Sequence, residues 1–383
     1  MHSSRLHSMD TLRVVAMLLG ILVHIAFCHA SFWGKFWILQ DPYQHIIFDI
    51  FILIIRSVRM ELFFFISGFF GNLMLEKNGD HYFIQNRIIK IFIPFVVFEQ
   101  LMLVLIPLSI NQPILNNNIN YLRPFHLWFL YYLMLIYISI YVFKIIGKII
   151  FWQQLKTKID LIFNNIMDAK SHILVLSLIT FLPLSKMKFI VVDTPIGFLI
   201  EYRLLIYYSF FFYFGWMTRR NQKVFDIIIN NSNTYFCIAM PNIFFLIISI
   251  LKFNTNYSSN VVKFVFHVIM FRFSYAICTW CLMLGIIGFF HHYLNKENKL
   301  IKYLSASSYW IYIMHLPLIL LLQHNLFNNM DLGYFKPIII FLISVVLLLI
   351  SYHLLIHSTY LKYVLSGHTT RKVIPSITSN LLN

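Results

Sequence analysis

The chain has 383 residues, of which 60% are hydrophobic and only 11% charged, against roughly 25% charged residues in a soluble domain. Mean hydropathy is +0.75, which excludes a water-soluble globule and leaves apolar runs long enough to cross a bilayer. The net charge of +16 does not mark a nucleic-acid binder, because Lys and Arg are scattered over many short loops and form no single patch.

The chain opens on a short polar stretch, Met1 to Met9, followed by a first apolar segment, Thr11 to Ala30. Cys28-His29-Ala30 faintly resembles a cleavage site, but the run is longer than a signal core and holds His24 within it, so a retained signal-anchor helix is expected. Arg13 and His24 are eleven residues apart, close to three whole turns. They share one face, about 16 Å apart along the axis. A cation and an imidazole on one face of a membrane helix point to a polar pathway. Taken singly, each has a plainer reading: an interfacial anchor for Arg13 and a packed core histidine for His24. Asp10 precedes them as a helix N-cap and stands too far along the axis to orient His24.

Ten candidate spans follow in order: 11–30, 46–75, 88–110, 126–146, 172–192, 203–218, 235–253, 261–290, 303–326 and 334–356. The expected fold is all-α, a polytopic membrane bundle of about ten transmembrane helices, with one integral-membrane domain over 1–365 and a polar cytoplasmic tail over 366–383. The fifth span is the weakest, since Lys186 and Lys188 cut it short, and it could be re-entrant. With the N-terminus in the cytoplasm, eighteen basic residues fall on the inside and seven outside. The positive-inside rule thus expects both termini in the cytoplasm. The largest inside loop, 147–171, is expected to lie on the membrane surface.

With the lysines near span ends counted in the adjoining loops, five basic residues remain within spans, and all are arginine: Arg13, Arg56, Arg59, Arg203 and Arg272. Arginine keeps its charge when desolvated and offers a planar fork to carboxylate or phosphate. Arg203 is near a span end and can snorkel. Arg56 and Arg59 are deep in the second span and three apart, on one helix face. Pairing with a buried acid, Glu61 or Glu99, is the alternative to a functional role. Ser67-Gly68 and Gly71 on the same span read as a close helix approach, and no base can be placed beside Ser67 to make it a nucleophile.

His126 begins the fourth span beside Trp128 and reads as readily as an interfacial residue. His315, in the ninth span, lies about 20 Å from the inner edge marked by Lys302 if helical, matching the depth of His24; Pro317 just beyond it frees a backbone carbonyl. Cys28, Cys237, Cys278 and Cys281 all lie in apolar runs, and Cys278-x-x-Cys281 lacks a second ligand pair, so packing is expected and no metal site. His45-x3-Asp49 is similar to a motif of soluble acyltransferases but sits at an outer span end, where it is discounted.

Together, Arg13-x10-His24 after Asp10, Arg56-x2-Arg59 leading into Phe-Phe-Phe-Ile-Ser-Gly-Phe-Phe, the His126-Leu-Trp-Phe-Leu segment, and Ser305-Ala-Ser-Ser-Tyr-Trp-Ile-Tyr-Ile-Met-His315-Leu-Pro-Leu resemble the acyltransferase family 3 of integral membrane proteins. Length, span number and Ser366-Gly367 look most like its glucans biosynthesis protein C branch. The resemblance implies a bacterial inner-membrane enzyme taking an acyl group from cytoplasmic acyl-coenzyme A (succinyl- or acetyl-coenzyme A) to a periplasmic glucan or other glycan. It makes His24, His315, Arg56 and Arg59 the catalytic candidates and Arg13 the co-substrate-binding one. Coenzyme A is a polyanion on a flexible arm, so cations at the inner mouth suit its phosphates, and the Arg13–His24 distance is about that of the arm. His24 or His315 would act as general base or carry the acyl group in transit. Arg56 or Arg59 would stabilise the oxyanion or bind a succinyl carboxylate. O-acetylation of lipopolysaccharide or another surface polysaccharide is the rival reading within the enzyme class. A secondary transporter is the rival outside it, but no internal repeat is present.

Overall fold

The computed structural model describes residues 7–113, 124–149, 152–195, 197–255, 261–328, 330–357, 359 and 361–365. The 366–383 tail, Arg5 and Arg123 lie outside them. Among the described residues every regular element is helical, as the composition requires: in hydrocarbon the backbone must satisfy its own hydrogen bonds.

The helices are α1 (His7–His29), α2 (Ile46–Arg56), α3 (Arg59–Arg87), α4 (Ile93–Ser109), α5 (Trp128–Ile149), α6 (Trp152–Asp168), α7 (His172–Ser185), α8 (Tyr202–Arg220), α9 (Gln222–Asn230), α10 (Ser232–Thr255), α11 (Val261–Tyr293), α12 (Lys299–Leu321), α13 (Phe335–Ser351) and α14 (Leu361–Leu365). Each of the ten expected segments falls at least in part on helix. Among the described residues seven stretches are long and apolar enough to cross a bilayer, or eight if the bent α6–α7 pair is one span. One of them, Ile46–Ser109, holds two expected spans. Gly79, with φ of 80°, turns the chain between them, a conformation that a side chain would strain. As a result Arg87 Nη2 lies 2.8 Å from Met74 Sδ, where thirteen residues of straight helix would hold them about 20 Å apart.

Two sequence expectations are corrected. The span 172–192 is helical only over His172–Ser185 and meets the segment Lys156–Asp168 at 119°; Lys186 and Lys188 follow its end. The span 46–75 is not one helix. It breaks at Ser57–Val58, where the Ser57 hydroxyl donates to Ile54 O at 2.7 Å and competes with the helix ladder.

α1 is the hub, packed against α2, α3, α11, α12 and α13. Beside it, α3 and α8 touch backbone to backbone: a Cβ on Gly68 would meet Phe212 O at 1.9 Å and one on Gly215 would meet Phe65 O at 2.1 Å. This is the close approach expected of Gly68. Elsewhere the surface is apolar in stripes, as on α13, where Ile338, Leu342 and Val346 are exposed at one-turn intervals. Such a face suits lipid.

Candidate functional site

Local structure explains how the first helix delivers its residues. The segment after α1 folds back over the helix end: Asp41 N donates to Cys28 O at 2.9 Å and His45 N to His29 O at 3.0 Å. Asp49 pins it from α2, accepting from Ser31 N, Phe32 N and Trp33 N at 2.9, 3.0 and 2.8 Å. His45 caps α2, accepting from Ile47 N at 3.2 Å. Both members of the His45-x3-Asp49 pair thus hold backbone, in line with their discounting as chemistry. The fold-back lays Trp37 on His24, with stacked rings at a centroid distance of 5.3 Å.

His24 and His315 come together, their ring centroids 5.1 Å apart. The depth match read from the sequence is therefore a contact. His126 joins them, 4.9 Å from His315, and is only 7% exposed. It is an interior residue, and the interfacial reading of it fails. Its place is fixed by Pro317. A proline has no N–H, so the carbonyl four residues back, Ile313 O, loses its helical partner. His126 Nε2 supplies the missing donor at 2.8 Å, and Tyr312 OH donates to His126 O at 2.8 Å.

These contacts set the tautomers. A carbonyl oxygen only accepts, so the ring nitrogen facing it carries the proton. His126 is protonated on Nε2 and its Nδ1 lone pair is free. His315 Nδ1 faces Tyr312 O at 2.7 Å and Ile311 O at 3.2 Å, so its Nε2 is the basic atom. His126 Nδ1, His315 Nε2 and His24 Nδ1 are buried without a hydrogen-bond partner. No carboxylate orients His24 among the described residues; aromatic stacking does.

Arg59 acts electrostatically on all three imidazoles. Its Nη1 lies 3.4 Å from where a Cβ on Gly20 would stand. Gly20 is one turn before His24 on the same face, so the guanidinium crosses α1 just below the imidazole. Gly20 was not singled out in the sequence; the available signal was that it is the single glycine of α1. Arg59 Nε has no hydrogen-bond partner, and no ion pair to Arg59 occurs among the described residues. Neither Glu61 nor Glu99 forms an ion pair with it, although Glu61 acts on it electrostatically: Glu61 accepts from Tyr207 OH at 3.1 Å, and both Glu99 oxygens lack a hydrogen bond.

Arg56, across the break, does not share a helix face with Arg59, which corrects the sequence reading. It donates to Val192 O at 2.7 Å and Thr194 Oγ1 at 3.3 Å, and lies over the rings of Phe27 and Trp33 at 5.9 and 5.5 Å. Both guanidiniums act electrostatically on His24. The other buried arginines are structural. Arg272 donates to Ser185 O, Met187 O and Phe189 O at 2.8, 2.8 and 2.9 Å, capping the end of α7. Arg203, the expected snorkel, pairs with Glu201 and Asp193.

Arg13 stands at the far end of the stripe. It pairs with Asp10 at 3.5 Å, donates to Ser305 Oγ at 3.4 Å and stacks over Phe70 at 4.9 Å. Ser305 Oγ donates in turn to Asp10 at 3.1 Å. Asp10 therefore ties α1 to α12, where the sequence suggested an N-cap. Arg13 and Arg87 share an electrostatic field with Lys90, so three cations gather here. Between this end and His24, Tyr309, Tyr312, Arg59 and His24 are enclosed deep in protein and still keep accessible surface.

A family model described as an acyltransferase domain matches residues 6–356. The chain belongs to the acyltransferase 3 family. It is a multi-pass membrane acyltransferase, transferring groups other than amino-acyl groups, and the transporter alternative is set aside. No curated protein and no solved structure matches it. All the candidate side chains lie within the matched residues of this family 3 acyltransferase.

Proposed function

We propose that the chain moves an acyl group from cytoplasmic acyl-coenzyme A to a glycan on the other side of the bacterial inner membrane, with succinyl transfer to periplasmic glucans as the favoured case. One observation carries this: two imidazoles with free ring nitrogens meet beside an arginine that forms no ion pair among the described residues. A guanidinium not engaged in an ion pair is available to donate where a reaction develops negative charge.

In this reading Arg13, Lys90 and Arg87 face the cytoplasm and hold the coenzyme A phosphates. The pantetheine arm follows the Arg13–His24 stripe and brings the thioester to Arg59. A glycan hydroxyl enters beneath Trp37. The hydroxyl oxygen attacks the carbonyl carbon as its proton passes to His24 or to His315 Nε2. Arg59 stabilises the oxyanion. The carbon–sulfur bond then breaks, and the imidazolium returns its proton to the thiolate. The excess of basic residues on one set of loops supports both termini lying in the cytoplasm.

The test is mass spectrometry of periplasmic glucans from a deletion strain. Loss of succinyl groups supports the favoured case. Loss of acetyl from another surface polysaccharide, with glucans unchanged, supports the rival acceptor. Unchanged acylation of both contradicts the reading.

A further inference from the structure

Away from the histidines, a cavity of about 680 Å³ opens at the α6–α7 bend, between α7, α9, α10 and α11. Its lining divides by polarity. At the mouth stand Lys170, Lys223 and Asp168. Lys223 pairs with Asp168 at 2.5 Å, while Lys170 has no partner among the described residues, so the mouth carries net positive charge. Toward the interior Ile173, Ile227, Ile238 and Ile277 make most of the lining, beside Asn231, Thr234 and the hydrogen-bonded His172–Tyr235 pair.

The wall of this groove runs directly into the membrane-facing surface. Leu174 lines it and is 50% exposed; Leu178 and Leu182, one and two turns on, are exposed by 54% and 67%. On the opposite wall Thr234, Ile238 and Asn242 lie at one-turn intervals on α10, a depth of about 12 Å. Asn242 closes the floor, its own polar atoms already bonded to Ser274 Oγ and Ile238 O. A basic mouth, a mainly apolar shaft and a wall continuous with exposed leucines match an amphiphile that enters sideways from the bilayer. They do not match a soluble ligand.

We infer that this groove binds an anionic glycerophospholipid, its phosphate at Lys170 and Lys223 and one acyl chain between α7 and α10. Basic pockets between membrane helices hold anionic headgroups in this way. Asp168 holds the Lys223 ammonium in position, and the lipid fills the wedge left by the 119° bend. The catalytic reading is not needed for this assignment, since no lining residue belongs to the histidine cluster.

The experiment is native mass spectrometry of the full chain released from nanodiscs of equal phosphatidylglycerol and phosphatidylcholine. The wild type should retain phosphatidylglycerol preferentially. Lys170→Gln and Lys223→Gln should each lower that retention about fivefold. Ile238→Trp, which plugs the shaft, should abolish it while the thermal melt is kept. Equal retention of the two lipids, variants that retain phosphatidylglycerol as the wild type does, or displacement of the lipid by added coenzyme A would each overturn the assignment.

Discussion

His126 Nε2 closes the hydrogen-bond gap that Pro317 opens, donating at 2.8 Å to the Ile313 carbonyl that the proline leaves without a partner. The same bond turns the His126 Nδ1 lone pair toward the interior and seats the ring 4.9 Å from His315. A backbone defect in one helix thus sets the proton position on a side chain from another.

Pro317→Ala tests this coupling. The new N–H at 317 competes for Ile313 O and releases His126. The variant should melt no lower than the wild type, since a helix-interior proline is removed, yet lose about tenfold or more in acyl transfer. Wild-type turnover in a stably folded variant would show that the His126 tautomer is irrelevant to the reaction.

Gly20 should tolerate alanine and reject larger residues. A Cβ there touches Arg59 Nη1 at 3.4 Å, an ordinary contact, whereas a leucine would occupy the guanidinium's place. Gly20→Leu should match Arg59→Ala, each lowering kcat about 100-fold as an oxyanion donor does, with Gly20→Ala near wild type. Steady-state kinetics of the three variants decide the matter. Arg59→Lys should not restore the rate, because a point charge does not replace the fork.

Arg13→Ala and Arg56→Ala should separate the two substrates. Arg13 stands in a cluster of cations, and its loss should raise the KM for acyl-coenzyme A about tenfold. Arg56 braces the segment at Val192 and Thr194 on the Trp37 side, and its loss should act on the glycan KM. Bisubstrate kinetics would reveal the reverse pattern if the sidedness were inverted.

Away from the site, Lys336 and Asp41 form a buried ion pair, exposed by only 3% and 7%. The sequence placed Lys336 in an outside loop. Lys336→Met should destabilise by about 3 kcal/mol, because it strands a buried carboxylate, and Asp41→Leu added to it should recover most of that. Thermal melts of the single and double variants in detergent provide the check.

What was legible in the sequence followed from helix periodicity. Arg13 and His24 repeat on one face of α1, and counting inward from Lys302 put His315 at the depth of His24. What was not legible depended on tertiary contact. His126 looked interfacial because Trp128 is beside it, and only the fold shows that its ring reaches Ile313. The proline was the available clue, since a carbonyl freed in a membrane interior must find a donor. The break between Arg56 and Arg59 contains no glycine or proline, so an apolar pattern alone ran through it; Ser57 was the faint signal.

Single-turnover transfer from radiolabelled succinyl- or acetyl-coenzyme A in proteoliposomes, comparing wild type with His24→Ala, bears most directly on the buried histidine track. Transfer and thioester loss should both fall to background in the variant, with insertion and melting temperature unchanged. A variant that folds and transfers at the wild-type rate would contradict the account.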